Sequence, residues 1–102
     1  MRLEDYLTGN GRKTQDNKPT RDRIRIISAV NQTPQRGQEI AKKLRMKKRR
    51  VNAILGSMHN KTRVLKRQEI DMSGSRRQIF WSIRTGHEEE VTEGILVAKK
   101  AL

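Results

Sequence analysis

The sequence predicts an α+β domain in which helices come first and a β-hairpin follows. Up to residue 60 the apolar residues recur at helical spacing. Ile24, Ile27 and Val30 form one stripe, Ile40, Ala41 and Leu44 a second, and Val51, Ile54, Leu55 and Met58 a third. Beyond Lys61-Thr62 the period falls to two, and Ile79, Trp81 and Ile83 share one face of a strand. A chain of 102 residues has room for one domain.

Each element has its own local reason. Residues 8–19 mix Gly, Asn, Pro and both charges without periodicity, so residues 1–19 read as a flexible N-terminal segment in which nothing requires Tyr6 or Leu7 to dock. Thr20 is a candidate N-cap, with Asp22 in the first turn, for a helix over 21–31 whose core face is Ile24, Ile27 and Val30, with Ile26 on the flank. Pro34 disfavours helix at Thr33, and the short extended piece after it is able to pair as an edge strand. Gly37 opens a helix over 38–45, facing inward through Ile40, Ala41 and Leu44. Arg45-Met46-Lys47 makes a turn, and a basic helix runs from Lys47 or Lys48 to Asn60, completing a helix-turn-helix. In such a unit Ala41 marks the close helix crossing and Met46 plugs the turn.

Leu65–Met72 and Ile79–Ile83 are the two strands of the hairpin, with the turn signal spread over residues 71–77. A lone hairpin is marginal in water, so Ile79, Trp81 and Ile83 are expected to pack onto the helices. In the tail, residues 85–102, Val91, Ile95, Ala98 and Leu102 form a stripe suited to an extra C-terminal helix, although Gly94 weakens it. Acids at its start and lysines at its end agree with the helix dipole. The stripe motivates a homodimer through residues 87–102.

Charge points to a partner. The net charge is +13, and residues 20–84 alone carry 18 Lys or Arg against four acids, Asp22, Glu39, Glu69 and Asp71. Self-repulsion of that size in the folded part implies a compensating polyanion. On the basic helix, at about 100° per residue, Arg49, Asn52, Ala53, Gly56 and Asn60 lie opposite the apolar stripe. A narrow face of cations, an amide and small residues is what a DNA major groove admits.

Helix, helix, turn, basic helix, strand, turn, strand is the order of the winged helix-turn-helix family, and the local wording is similar. Glu39-Ile40-Ala41-Lys42-Lys43-Leu44 resembles the family's second helix, residues 47–60 its recognition helix, and Leu65-Lys66-Arg67 through Phe80-Trp81-Ser82-Ile83 its wing hairpin. The resemblance covers residues 20–84 and implies a domain of three helices plus a wing that binds double-stranded DNA, as small prokaryotic and viral transcriptional regulators do. Lys48-Arg49-Arg50-Val51-Asn52 with Trp81 is also similar in spacing to the Z-DNA-binding variant. That variant has a Tyr where this chain has Gly56, and wing prolines where it has residues near Gln78 and Ile79.

On the family reading, Arg49, Asn52 and Ala53 face base edges, by bidentate donation to guanine, pairing with adenine and contact with a thymine methyl respectively. Gly56 lets the backbone approach, with Asn60 further along the same face. The competing reading makes Asn52 a solvated helix residue and has Gly56 relieve a crowded crossing with the hairpin. Lys47, Lys48, Arg50, Lys61 and Arg63 bracket the helix and suit phosphates, which position without specifying. Arg76 and Arg77 suit the backbone or a narrow minor groove.

Other classes are not favoured. No nucleophile has a base nearby, no glycine-rich phosphate loop precedes a helix, and His59 and His87 lack ligand spacing, so the chain is expected to be no enzyme and to need no cofactor or metal. No apolar run approaches the roughly 20 residues that span a bilayer, nor is there a secretory h-region. With no Cys this fits an intracellular, cytoplasmic protein. The alternatives are an RNA-binding or ribosome-associated domain of the same shape, and a protein–protein module whose basic face meets an acidic partner.

Overall fold

In the computed structural model, residues 1–9, 18–72 and 76–100 are described. Helices α1 (Leu3–Thr8), α2 (Lys18–Gln32), α3 (Gly37–Leu44), α4 (Lys48–Thr62) and α5 (Glu88–Lys100) surround a three-stranded antiparallel sheet of β1 (Gln35–Arg36), β2 (Leu65–Met72) and β3 (Arg76–Ile83). The strand order is β1-β3-β2. The class is therefore α+β as expected; among the described residues α5 is the extra C-terminal helix the sequence suggests, and α1 is one it does not.

Thr20 lies inside α2, which already includes Lys18, so it is not the N-cap but a buried residue of the helix. Pro19 explains the difference: in a first turn its missing N–H is one that has no helical partner anyway, and its fixed φ suits the helix. Ile26 is fully buried rather than on a flank. Helices α1 and α5 also pack on α2, which makes it the central helix of the molecule.

The extended piece after Pro34 does pair at the sheet edge, Gln35 opposite Trp81 and Arg36 opposite Phe80. Helix α3 ends at Arg45 in the left-handed region, φ 56°, where the Met46 N–H donates to Ala41 O at 2.9 Å and closes the turn. Ala41 is buried at the crossing with α4, and Met46 is half-buried against the core. From α2, Arg25 donates through Nη2 to Leu44 O at 2.8 Å, satisfying a terminal carbonyl of α3.

The hairpin is longer than the sequence suggests. Met72 stands opposite Arg76, so the strands run to within three residues of one another, and the turn signal over 71–77 was too wide. Its tip, residues 73–75, and the side chain of Arg76 lie outside the described residues. The register puts Leu65, Arg67, Glu69, Asp71, Arg77, Ile79, Trp81 and Ile83 on the helix-facing side. Near the base, Leu65 and Trp81 are buried, with Ile79 and Ile83 packed against the core; toward the tip that side becomes charged.

The flexible segment expected over residues 1–19 starts instead as α1, with Leu3, Tyr6 and Leu7 buried. Gly9, at φ 83°, ends it in the left-handed region; residues 10–17 lie outside the described ones. The Tyr6 hydroxyl donates to Ile54 O at 3.4 Å, and Arg23 stacks 5.3 Å over its ring. Gly94 has a use as well. Leu3 lies so close that a Cβ at 94 would come 3.1 Å from its Cδ2, so α1 seats on the flat spot of α5. Val91, Ile95 and Ala98 are buried in the same core, and that stripe is used within the chain rather than between copies; Leu102 lies outside the described residues. No helix among those described is long and apolar enough to cross a membrane.

Candidate nucleic-acid interface

Helix α4 buries Val51, Leu55, Met58 and Thr62 and turns the rest of its surface outward. At about 100° per residue, Arg49, Ala53 and Asn60 lie farthest from the core, and all three are exposed. Gly56 is next to them, and a Cβ built there would meet nothing within 4 Å. The glycine therefore relieves no crossing with the hairpin.

A groove runs along each flank of α4. The first, about 890 Å³, lies between α4, the start of α3 and the hairpin, and is lined by Arg36, Lys48, Arg67, Arg77, Asn52 and Trp81 among others. The second, about 1070 Å³, lies between α4 and α2, with Lys18, Arg23, Arg25, Arg45, Lys47, Arg49 and Arg50 along it. One acid lines the second groove, Asp22. It is buried, and it holds the Arg50 guanidinium at 3.0 Å and reaches Arg25 at 3.8 Å. The pair fixes α4 against α2 and commits Arg50 to Asp22. At the hairpin, Glu69 lies between Arg67 and Arg77, at 3.5 and 3.8 Å. These pairs are exposed and contribute little stability, but they hold both guanidinium groups over the groove.

Asn52 leans toward the hairpin side, over the N-terminus of α3. A Cβ at Gly37 would sit 2.0 Å from Asn52 Oδ1, so Gly37 is the residue that leaves room for this amide. No hydrogen bond ties the Asn52 amide to another described residue, and it is free to meet a ligand. Among the expected contact residues, Lys48, Asn52 and Arg77 are thus gathered on one flank, and Lys47, Arg49, Arg50 and Ala53 on the other. Asn60, Lys61 and Arg63 lie at the far end of α4 and line neither groove.

Six cations along the grooves are not among the residues expected from the sequence. Arg67 was accessible to it, since the period-two pattern from Leu65 puts position 67 on the helix-facing side. Arg36, Lys18, Arg23, Arg25 and Arg45 needed the packing of α2, β1 and α4 to be known. Trp81 is core, 7% exposed, with the His59 ring edge-on at 5.7 Å. Among the described residues no group of three or more His, Asp or Glu is placed to hold a metal ion.

Two backbone positions add to the picture. The non-glycine residues in the left-handed region among those described are Arg45 (φ 56°) and Arg63 (φ 58°), which flank α4 at its two ends. Glycine is the usual residue at such helix ends, and a side chain there costs about 1 kcal/mol. Arg45→Gly is accordingly expected to raise stability by about 0.5–1 kcal/mol in chemical denaturation. An unchanged or lowered stability would show that the left-handed conformation at this helix end is not costly for Arg.

No protein-family model, curated protein or solved structure matches the chain.

Proposed function

We propose that the chain is a winged helix-turn-helix protein that binds double-stranded DNA and acts as a transcriptional regulator. In this reading α2, α3 and α4 are the three helices of the domain, and the β2–β3 hairpin is the wing. The observation that carries it is the pair of cationic grooves on either side of a helix whose outer stripe is slim. A major groove about 12 Å wide accepts one helix and has a phosphate backbone on each side. Helix α4 offers Arg49, Asn52 and Ala53 to base edges, while Lys48, Arg67 and Arg77 on one flank and Lys18, Arg23, Arg45 and Lys47 on the other meet the two strands.

The test separates base reading from phosphate holding. Asn52→Ala is expected to weaken binding by about 1–3 kcal/mol on selected sequences only, with the salt slope unchanged. Loss that is equal on random DNA, or no loss, refutes base reading by Asn52. Gly56→Ala supplies a second check. It is expected to stabilise the protein by up to about 1 kcal/mol, since the new methyl meets open space. It is also expected to lower DNA affinity, because α4 would no longer lie as close to the bases. A gain in stability with no change in affinity would place the outer face of α4 away from DNA.

A second reading, RNA binding, is favoured by Phe80. It stands half-buried on the outer face of the sheet, with Arg36 and Gln68 opposite it and Lys66 on the same face, a place where an unpaired base would stack.

A further inference from the structure

The outer face of α5 carries a second, unrelated signal. Among the described residues, the exposed large hydrophobic side chains are Met1, Leu96 (54%) and Val97 (44%), and two of these three are neighbours on this helix. At about 100° per residue, Glu89, Glu93, Leu96 and Lys100 form a continuous stripe, with Val97 along its edge, directly opposite the buried Val91, Gly94, Ile95 and Ala98. A shallow groove of about 340 Å³ follows it past Glu88, Glu89, Thr92, Glu93 and Leu96. Neither Glu93 nor Lys100 has an ion-pair partner among the described residues.

This stripe is its own complement when reversed. In an antiparallel helix pair with the twofold axis between positions 96 and 97, Leu96 faces Val97 of the partner subunit and Val97 faces Leu96 of the partner subunit. Glu93 then faces Lys100 of the partner subunit, and Lys100 faces Glu93 of the partner subunit. A parallel pair would set like charges against each other, which is destabilising at such distances. Self-complementarity under a twofold is the requirement of an isologous dimer.

We infer that two copies of this chain associate through the exposed stripe Glu93, Leu96, Val97 and Lys100 of α5, packed antiparallel. This face differs from the Val91, Ile95, Ala98 stripe, which the core consumes. The apolar patch is small, well short of the roughly 1,200 Å² of a standard interface, so the free dimer is weak and the charges select orientation more than they add affinity. Helix α5 packs on α1 and α2, so the dimer leaves the α4 face open in each copy.

Sedimentation equilibrium of the full chain, from about 10 µM to 1 mM, tests this independently of any nucleic acid. Wild type is expected to shift toward twice 11.9 kDa with rising concentration. Leu96→Lys should weaken association at least about tenfold, since it puts a charge at the centre of the apolar contact. Glu93→Lys and Lys100→Glu should each weaken it, and the double reversal should restore it, because the pair is then re-formed with signs exchanged. All four side chains are exposed, so circular dichroism should show the variants folded. A wild type that stays at monomer mass throughout overturns the inference. So does association that Leu96→Lys leaves intact, or single reversals that the double reversal does not rescue.

Discussion

Replacing Trp81 by Ala is expected to destabilise the chain by about 3–5 kcal/mol, the usual range for truncating a buried aromatic. The position explains why the upper part of that range applies. Trp81 lies on the middle strand of the sheet, paired with Gln35 on one side and Arg67 on the other. Its indole faces the helices, and the His59 ring of α4 meets it at an interplanar angle of 73°. The side chain therefore joins the middle strand to α4, and its removal opens a gap between sheet and helix. A domain has about 5–15 kcal/mol in total, so this one substitution removes a large fraction of it. Urea denaturation followed by far-UV circular dichroism measures it, since the variant retains no Trp. A loss below about 1 kcal/mol would mean that the hairpin base is not packed as described.

The second large effect concerns charge. Lys48→Ala with Arg77→Ala removes two cations from the hairpin flank, and Lys47→Ala with Arg49→Ala removes two from the α2 flank. Each pair is expected to reduce the slope of log K against log salt by about 2, and all four together by about 4. At moderate ionic strength the quadruple variant should bind duplex DNA about a hundredfold or more weakly. All four residues are exposed and none holds the fold together, so stability should be nearly unchanged. Near-equal effects of the two pairs are what a helix lying between two backbones requires. If one pair leaves the slope intact, the duplex touches only one flank of α4, and the major-groove arrangement is wrong.

The legible part of this molecule is the part whose local pattern is long enough to have a period. Val51, Ile54, Leu55 and Met58 place α4, and the change at Thr62 places the start of the hairpin within a few residues. Helix α1 has six residues, shorter than the window in which helical periodicity is measurable. Leu3, Tyr6 and Leu7 are buried only because α2, α4 and α5 surround them, a tertiary circumstance with no local trace. Gly94 misleads for the same reason: by propensity it breaks a helix, and in the fold it receives Leu3. The face of α4 was readable from its angles, as were Arg49 and Ala53 on it; Asn52, expected on the same face, leans instead over Gly37 toward the hairpin. The flanking grooves were not readable. Lys18, Arg23 and Arg25 on α2 join Lys47, just before α4, and Arg49 on α4 through the packing of the two helices, which Asp22 and Arg50 tie together. Arg50, which by charge alone belongs with the phosphate contacts, is held by an acid 28 residues earlier.

The proposed DNA-binding role is tested most directly by titrating the wild-type chain with duplex DNA and with an RNA hairpin of equal length across a salt series. The account predicts tighter binding to duplex DNA, by about tenfold or more near 150 mM salt, with a steep slope from several phosphate contacts and weaker binding by Asn52→Ala on selected sites. Tighter binding to RNA at matched salt, abolished by Phe80→Ala and indifferent to Asn52, would contradict it and move the functional surface from α4 to the outer face of the sheet.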